Sequence, residues 1–233
     1  MAETLVVNEV FKSIQGESTR AGLPCVFVRL AGCNLRCSWC DTAYAFTEGT
    51  RMTLDEIVDR VAAFDCNLVE LTGGEPLMRS NSLLLMAQLA DRGHTVLLET
   101  SGSLDIGPVD PRVIRIMDLK CPSSGECEQN RWENISLLRA NDEVKFVIAT
   151  REDYDWAKRQ LERWNLPAIC TVLFSWAHPL PPEQRDPSLK SAPPDQHPIA
   201  MRQLVEQMLA DKLSIRFQLQ MHKYIWEPTT RGV

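Results

Sequence analysis

Strand-like and helix-like segments alternate along most of the chain, and this order constrains the fold more than any other feature. Short runs rich in β-branched and aliphatic residues indicate buried strands, and segments with apolar residues at helical spacing separate them. Such an alternation predicts a parallel sheet with helices outside it. The predicted strands cover 25–30, 67–71, 95–100, 113–119, 143–149, 169–174 and 214–220, and the predicted helices cover 53–65, 82–93, 131–140, 151–164 and 201–212.

The length of the chain limits how such a sheet can close. With 233 residues, it is too short for a closed eight-stranded barrel of about 250 residues. We therefore predict an α/β fold, a partial, open (β/α) barrel of about six parallel strands with outer helices. Its functional site should lie at the carboxyl ends of the strands. Four motifs directly follow predicted strands, at 31–33, 72–76, 99–102 and 118–122.

Composition agrees with a single globular unit. Hydrophobic residues make up 44% and charged residues 24%, which suits one domain over 1–233. The net charge of −6 argues against a basic nucleic-acid-binding surface. No apolar run approaches the roughly 18–20 residues of a membrane span, and the N-terminus lacks the pattern of a secretory signal. These features predict a cytoplasmic protein with neither a nucleic-acid nor a membrane partner.

Three cysteines, Cys33, Cys37 and Cys40, lie within eight residues. In a protein that is not exported the thiols stay reduced, so metal ligation explains them better than disulfides. A structural zinc site takes four protein ligands. Three cysteines on a four-iron cluster instead leave one iron able to bind a cofactor or substrate. Spacing alone leaves both readings open, and it gives no role to Cys121 and Cys127.

The spacing Cys33-x3-Cys37-x2-Cys40, with Trp39 before the last cysteine, resembles the radical S-adenosylmethionine (SAM) superfamily. The segment 72–76, Thr-Gly-Gly-Glu-Pro, resembles the glycine-rich SAM-binding motif of that superfamily. The resemblance implies a radical SAM core, a [4Fe-4S] cluster held by the three cysteines, and SAM bound to the fourth iron. The implied SAM contacts near the cluster are Trp39, Gly73, Gly74 and Glu75.

A narrower resemblance extends along the chain. The motifs at 9–17, 27–42, 71–77, 98–102, 118–126 and 220–226 together resemble the 7-carboxy-7-deazaguanine synthase family. That family converts 6-carboxy-5,6,7,8-tetrahydropterin to 7-carboxy-7-deazaguanine with loss of ammonia, in queuosine and 7-deazapurine biosynthesis. The resemblance implies the same activity here. It also implies Mg²⁺, a homodimer, and a low-potential electron donor such as flavodoxin or ferredoxin.

The resemblance also assigns residues to the pterin substrate and to the metal. Two stretches carry most of the substrate contacts, an N-terminal strip at 8–24 and a predicted C-terminal strand at 214–227. Thr42 is the implied Mg²⁺ ligand, with Asp41 as the alternative oxygen ligand. The implied substrate contacts are Ile14, Gln15, Gly16, Glu17, Arg29, Thr72 and His222, with Arg29 and His222 against the substrate carboxylate.

Further contacts to SAM are implied after the next two strands. These are Glu99, Ser101, Asp118 and Lys120. Asp118 stands where other members carry serine. Some members also present a C-terminal carboxylate to the substrate, but this chain continues to Val233, so we expect that its carboxylate is not presented to the substrate.

The proline-rich segment 176–198 predicts an extended surface connector, with His178 and His197 in solvent rather than in a site. Two alternative functions stay open at this point. One is a glycyl-radical-enzyme activase, which shares the cysteine spacing but needs a protein partner and no magnesium. The other is a zinc-stabilised binding module that is not an enzyme.

Overall fold

A computed structural model describes residues 2–227 and 229–233. The predicted single domain over 1–233 therefore includes Met1 and Pro228, which lie outside the described residues. The strands are β1 Thr4–Ile14, β2 Pro24–Leu30, β3 Thr50–Thr53, β4 Leu68–Gly73, β5 Thr95–Thr100, β6 Ile114–Leu119, β7 Glu143–Ile148, β8 Thr171–Trp176 and β9 Arg216–Gln218. The α-helices are α1 Leu54–Ala62, α2 Asn81–Asp91, α3 Arg151–Trp164, α4 Met201–Ala210 and α5 His222–Ile225.

These strands form one sheet in the order β3-β1-β2-β4-β5-β6-β7-β8-β9. Every pairing from β2 through to β9 is parallel, while β1 pairs antiparallel with both β2 and β3. The predicted open, mostly parallel α/β barrel is therefore confirmed, with seven parallel strands in the described part of the chain rather than about six. The antiparallel extension through β1 and β3 was missed.

The helices begin where the sequence indicates. Thr53 caps α1 and pairs reciprocally with Glu56, as its spacing predicts. Thr150 caps α3 in the same way, with Asp153 as its partner. The apolar faces of the helices cover the outer side of the sheet. One core joins α1 and α2 to β1, β2, β4 and β5, and a second joins α3 and α4 to β6, β7 and β8.

Two predicted elements are wrong in kind or extent. The segment 131–140 is not an α-helix but a short 3-10 helix, Trp132–Leu137. The predicted strand over 214–227 is a three-residue strand followed by a turn and α5. At this turn the backbone N–H of Met221 donates to Gly16 O at 2.9 Å. The segment after β9 therefore pairs with the N-terminal strip instead of continuing along β8.

The connector 176–198 is fastened to the barrel at specific points. Leu189 is buried, and the Lys190 N–H donates to Arg36 O at 2.9 Å. The Lys190 ammonium also binds Glu126 at 2.8 Å. His197 is exposed and pairs with Glu152, in keeping with its expected place at the surface.

No helix among residues 2–227 and 229–233 is long and apolar enough to cross a membrane.

A buried ion pair fixes β6 to the segment before β7. Arg115 is 3% exposed and Asp142 is 1% exposed. The Arg115 guanidinium binds Asp142 Oδ2, and the Arg115 backbone N–H donates to Asp142 Oδ1 at 3.0 Å. Removing one partner of such a pair leaves a buried charge without compensation, which is strongly destabilising.

We expect Arg115→Met to lower the free energy of unfolding by about 3–5 kcal/mol, measured by urea unfolding of cluster-free protein kept anaerobic. The matched control is Arg112→Met, because Arg112 forms exposed ion pairs with Asp91 and Asp110. Exposed pairs contribute little, so the control should change stability by less than about 1 kcal/mol. A comparably small loss for Arg115→Met would contradict this account.

Candidate active site

A single cavity opens at the carboxyl ends of the parallel strands. It holds about 1370 Å³ of empty space, a volume that includes solvent at its open mouth. The structure brings every predicted site residue except Glu75 to its wall. These are Ile14, Gln15, Gly16, Glu17, Arg29, Cys33, Cys37, Trp39, Cys40, Thr42, Thr72, Gly73, Gly74, Glu99, Ser101, Asp118, Lys120 and His222.

The inner face of the barrel changes character along each strand. Near the amino ends it is apolar, with a small core of Cys25, Phe27, Leu68, Leu97, Ile114 and Ile116. Two residues further on, the same face carries charge. Because alternate strand residues share a face, the inward positions that follow this core are Arg29 on β2, Glu70 and Thr72 on β4, Glu99 on β5 and Asp118 on β6.

The segment 33–40, which we call the cluster loop, carries the three cysteines of the predicted cluster site. All three are free thiols at the cavity wall. Burial raises the pKa of the Cys37 thiol to about 11 and that of Cys40 to about 12, while the nearby Lys120 ammonium acts in the opposite direction. Among the described residues no three His, Cys, Asp or Glu side chains converge on one metal ion. A [4Fe-4S] cluster takes each cysteine on a different iron, so three thiols on one loop suit it and leave the fourth iron for another ligand.

Lys120 and Asp118 lie beside the cluster loop. The Lys120 ammonium binds Asp118 Oδ2 at 2.9 Å and lies 5.1 Å from the Trp39 ring centroid. The other carboxylate oxygen, Asp118 Oδ1, is buried and lacks a hydrogen-bond partner within the described residues. Buried acceptors are normally satisfied. An orphan acceptor at a cavity wall therefore fits a ligand with hydroxyl or ammonium donors, as SAM has.

The two glycines after β4 are required by the cluster loop itself. A Cβ on Gly74 would lie 2.0 Å from Gly32 O and 2.7 Å from Cys33 Cβ. Gly73 has φ +136, and a Cβ there would lie 2.2 Å from Leu30 O. Side chains at these positions would push the two loops apart, so the glycines bring the β4 loop against the backbone that carries Cys33.

Glu75 does not line the cavity, contrary to its predicted contact with SAM. It is 1% exposed, and both carboxylate oxygens are engaged within the protein. Oε1 accepts from Leu77 N and from Thr100 Oγ1, at 3.0 and 2.9 Å. Oε2 accepts from the backbone N–H and the hydroxyl of Ser101, at 2.7 and 2.5 Å. Glu75 therefore joins the loops after β4 and β5 from behind and supports Ser101 at the wall.

Three carboxyl groups, those of Glu17, Glu70 and Glu99, lie around Lys145, and we call them the carboxyl cluster. No role was predicted for Lys145 from the sequence. The Lys145 ammonium binds Glu17 Oε2 at 2.7 Å and Glu99 Oε1 at 2.5 Å. Although burial acts to raise it, Lys145 and His222 lower the pKa of Glu17 to about 2. Burial raises the pKa of Glu99 to about 8, against the attraction of Lys145.

The third member of the carboxyl cluster, Glu70, holds the side chain of Gln15. The Gln15 amide donates to Glu70 Oε2 at 2.5 Å, and its carbonyl accepts from Glu17 N at 3.1 Å. Gln15 is 3% exposed, and its buried side chain joins the N-terminal strip to Glu70. Burial raises the pKa of Glu70 to about 7.

His222 and Gly16 lock the N-terminal strip to α5. A Cβ on Gly16 would lie 2.2 Å from His222 Nδ1. Burial lowers the pKa of the imidazole below its ordinary 6.5, so the ring is neutral at neutral pH. Next to it, Lys223 binds Asp41, and Thr42 Oγ1 donates to Asp41 Oδ1 at 2.8 Å.

Arg29 is already paired within the protein. Its Nε donates to Glu9 Oε1 at 2.7 Å, directly across the antiparallel pair β1 and β2. The hydroxyl of Tyr44 donates to the same oxygen at 3.1 Å. Because this hydrogen bond uses Nε, the terminal nitrogens of the guanidinium remain for a ligand.

Several wall residues had no predicted role. Lys145 and Glu70 could have been noticed in the sequence, because each is a charged residue at an inward position of an otherwise apolar strand. Val233 lines the cavity, so the C-terminus lies at the site; that its carboxylate is not presented to the substrate stays a prediction. His178, expected in solvent, also lies in the cavity wall. The other wall residues without a predicted role include Phe11, Phe27, Phe46, Thr100, Val147 and Gln220.

Comparison with known proteins identifies the class. A model of the radical SAM superfamily matches residues 28–165, more than half of the chain. The matched segment contains the cluster loop, the β4 loop and the loops after β5 and β6. The protein is therefore a radical SAM protein.

Curated relatives narrow the identification. The 7-carboxy-7-deazaguanine synthase of Chlorobaculum tepidum is 46% identical over 232 residues, covering 98% of this chain and 97% of that protein. The enzyme of the same name from Koribacter versatilis is 40% identical over 230 residues, covering 97% and 99%. The crystal structure of QueE from Escherichia coli matches the fold with a TM-score of 0.70 at 21% identity, over 94% of this chain and 95% of that one. The chain belongs to the 7-carboxy-7-deazaguanine synthase family.

The raised pKa of Glu70 predicts a pH-dependent stability. Glu70 holds its proton more tightly in the folded protein, with a pKa of about 7 against an ordinary 4.5. Stability is therefore lost as the pH rises from about 4.5 through 7. Glu70→Gln cannot ionise, so it should stabilise the protein more at pH 8.5 than at pH 5.5, by roughly 1–3 kcal/mol.

The measurement is urea unfolding of cluster-free protein at both pH values. Exposed Glu162→Gln serves as the control. Equal effects of Glu70→Gln at the two pH values would show that Glu70 does not hold a proton in the folded protein.

Proposed function

We propose that the protein is a radical SAM enzyme that converts 6-carboxy-5,6,7,8-tetrahydropterin to 7-carboxy-7-deazaguanine with loss of ammonia, in queuosine and 7-deazapurine biosynthesis. The observation that carries the proposal is the 46% identity to a synthase of that name over 98% of the chain. The cavity supports it, because it combines three thiols, an orphan acceptor and side chains of both charges.

The cofactor side of the cavity provides its own ligands. Cys33, Cys37 and Cys40 would hold the [4Fe-4S] cluster, and Asp118 Oδ1 would accept a hydrogen bond from SAM. When bound, the cluster and SAM would supply one-electron reduction and hydrogen-atom abstraction. Glu75 joins the loops after β4 and β5 behind this wall and holds Ser101 in place.

The substrate side orients the pterin through opposite charges. The 2-amino-4-oxo ring presents N–H donors, which suit Glu17 and Glu70. Glu99 was expected to contact SAM, but Lys145 joins it to Glu17, so we propose that it faces the pterin instead. The substrate carboxylate suits the free terminal nitrogens of Arg29, whose planar fork matches a carboxylate. His222 is neutral and donates from one ring nitrogen. No side chain is needed as a nucleophile, because binding geometry does most of the work in hydrogen abstraction.

We propose that the substrate completes the coordination shell of a Mg²⁺ ion. Thr42 places a hydroxyl oxygen at the cavity wall, but the neighbouring Asp41 is engaged by Lys223. One hydroxyl is a poor site alone. Mg²⁺ usually keeps water and substrate oxygens in its shell, so we propose that the ion binds only together with the pterin carboxylate.

The remaining partners are inferred from the chemistry. A low-potential one-electron donor, such as flavodoxin or ferredoxin, must reduce the cluster. Reduced thiols for cluster assembly are in keeping with a cytoplasmic location, and a homodimer is proposed from the family resemblance. An activase is disfavoured, because the near-complete match is to relatives named for the pterin-derived product.

The first test is an anaerobic incubation of cluster-reconstituted protein with carboxytetrahydropterin, SAM, Mg²⁺ and dithionite, read by mass spectrometry. We expect 7-carboxy-7-deazaguanine from the natural protein and none from Cys37→Ala. The matched control is Cys127→Ala, which removes a thiol outside the cavity wall and should keep the activity. Formation of 5′-deoxyadenosine without the deazaguanine would contradict the substrate assignment while leaving the superfamily intact.

A second test concerns Gly16, whose missing side chain makes room for the His222 ring. The added methyl group in Gly16→Ala should displace the imidazole and raise the KM for the pterin by about 10- to 100-fold. His222→Ala should act in the same direction. Because both changes act through one ring, the double variant should show a strongly non-additive loss. Additive losses would contradict a shared role.

A further inference from the structure

Lys145 is a buried cation at the cavity wall with no role predicted from the sequence. It lies in the middle of β7, between Asp118 of β6 and Leu173 of β8 in register. It is 5% exposed and its side chain lines the cavity. Its ammonium contacts Glu17 of the N-terminal strip on one side and Glu99 at the end of β5 on the other.

The hydrogen bonds around the carboxyl cluster show how much depends on this cation. In the described residues, Glu17 accepts from Lys145, Gln218 and Gln220, and Glu99 accepts from Lys145. The amide of Gln15 serves Glu70. The hydrogen bonds recorded to these three carboxyl groups therefore include one cationic donor, Lys145, and the other donors are neutral amides.

The contacts also fix which carboxylate oxygens face a ligand. Glu17 Oε2 accepts from Lys145 at 2.7 Å and from Gln218 at 3.0 Å, which uses both of its lone pairs. Glu17 Oε1 accepts from Gln220 at 2.9 Å and keeps one lone pair. Glu99 Oε1 accepts from Lys145, and among the described residues no donor to Glu99 Oε2 is recorded. The ammonium group of Lys145 thus determines which way the remaining oxygens of Glu17 and Glu99 point.

We propose that Lys145 is a positioning residue for the pterin, which orients Glu17 and Glu99 together so that the free lone pair of Glu17 and the free oxygen of Glu99 face the polar edge of the ring. This inference rests on the proposed function. Lys145 does not touch the reacting atoms in this account. Its effect reaches the substrate through the two carboxyl groups, and it also separates them, since without a cation three neighbouring buried carboxyl groups repel one another.

The neutral contacts should preserve the strip when Lys145 is changed. Ser18 N donates to Gln218 Oε1 at 2.7 Å, and Met221 N donates to Gly16 O at 2.9 Å. Thr19 and Arg20 are held separately by Glu143. The backbone of the strip thus has anchors that do not involve Lys145. Loss of the ammonium should therefore change substrate binding more than it changes the fold.

The test compares Lys145→Met and Lys145→Ala with the natural protein, all cluster-reconstituted. We expect the KM for carboxytetrahydropterin to rise by about 10- to 100-fold in both variants. The dissociation constant for SAM, measured without pterin, should stay within about threefold, because the hydrogen bonds recorded for Lys145 go to Glu17 and Glu99 and not to Asp118 or Lys120. The matched control is Lys158→Met, which removes a lysine from the outer helix α3 and should change neither value.

Chemical rescue separates positioning by charge from a merely structural role. Lys145→Ala leaves a space between Glu17 and Glu99 that a small alkylammonium ion can enter. Added ethylammonium should lower the raised KM of Lys145→Ala by about tenfold or more, while sodium chloride at equal ionic strength should not. The natural protein should not respond to ethylammonium.

An unchanged pterin KM in both variants would overturn the inference, even if the natural protein makes the deazaguanine. Equal weakening of SAM and pterin binding, without rescue by ethylammonium, would also overturn it in favour of a structural role. If the natural protein neither binds nor converts the pterin, the proposed function fails and the inference fails with it.

Discussion

The close contact between the loop after β4 and the cluster loop is the constraint on which the site depends. Gly74 lies so near Gly32 and Cys33 that even a methyl group would overlap a backbone oxygen. The backbone N–H of Glu75 also donates to Gly32 O at 2.9 Å. One set of contacts thus fixes where the thiols lie relative to β4. Glu75 accepts hydrogen bonds from Thr100 at the end of β5 and from Ser101 just after it. The three loops that form the cofactor wall are therefore joined directly to one another.

The barrel solves a second problem, which is how to hold charged groups inside a fold that needs a core. Its inner face is apolar at the amino ends of the strands, where Phe11 stacks on Phe27 with ring centroids 5.0 Å apart. Charge begins one inward position further along. Each carboxyl group there has a partner, and beside them the backbone N–H groups of 17–19 donate to Gln15, Gln218 and Glu143. Satisfied polar groups of this kind specify one arrangement of the interior.

The parallel sheet could be predicted from the sequence, because buried parallel strands appear as continuous apolar runs. The cofactor wall could be predicted because its motifs directly follow those strands, at the carboxyl edge of the sheet. It missed β1, whose polar Asn8, Glu9 and Lys12 break the apolar pattern of an antiparallel outer strand. It missed Lys145 because its partner Glu17 is 128 residues away. A motif also does not reveal side-chain direction, so Glu75 was expected in the cavity that it supports from behind.

The distribution of charge determines how a ligand can lie in the cavity. Arg29 and Lys223 provide positive charge from β2 and α5, while Glu17, Glu70 and Glu99 provide carboxyl groups from the strip, β4 and β5. His222, held neutral by burial, lies within the field of Glu17, Asp41, Lys223 and Arg29. A ligand with an anionic carboxylate and an N–H-rich edge can satisfy both sets in one orientation only. Reversing it would set its carboxylate against Glu17, whose lowered pKa keeps it ionised. We propose that these charges set the orientation of the pterin relative to the cofactor wall.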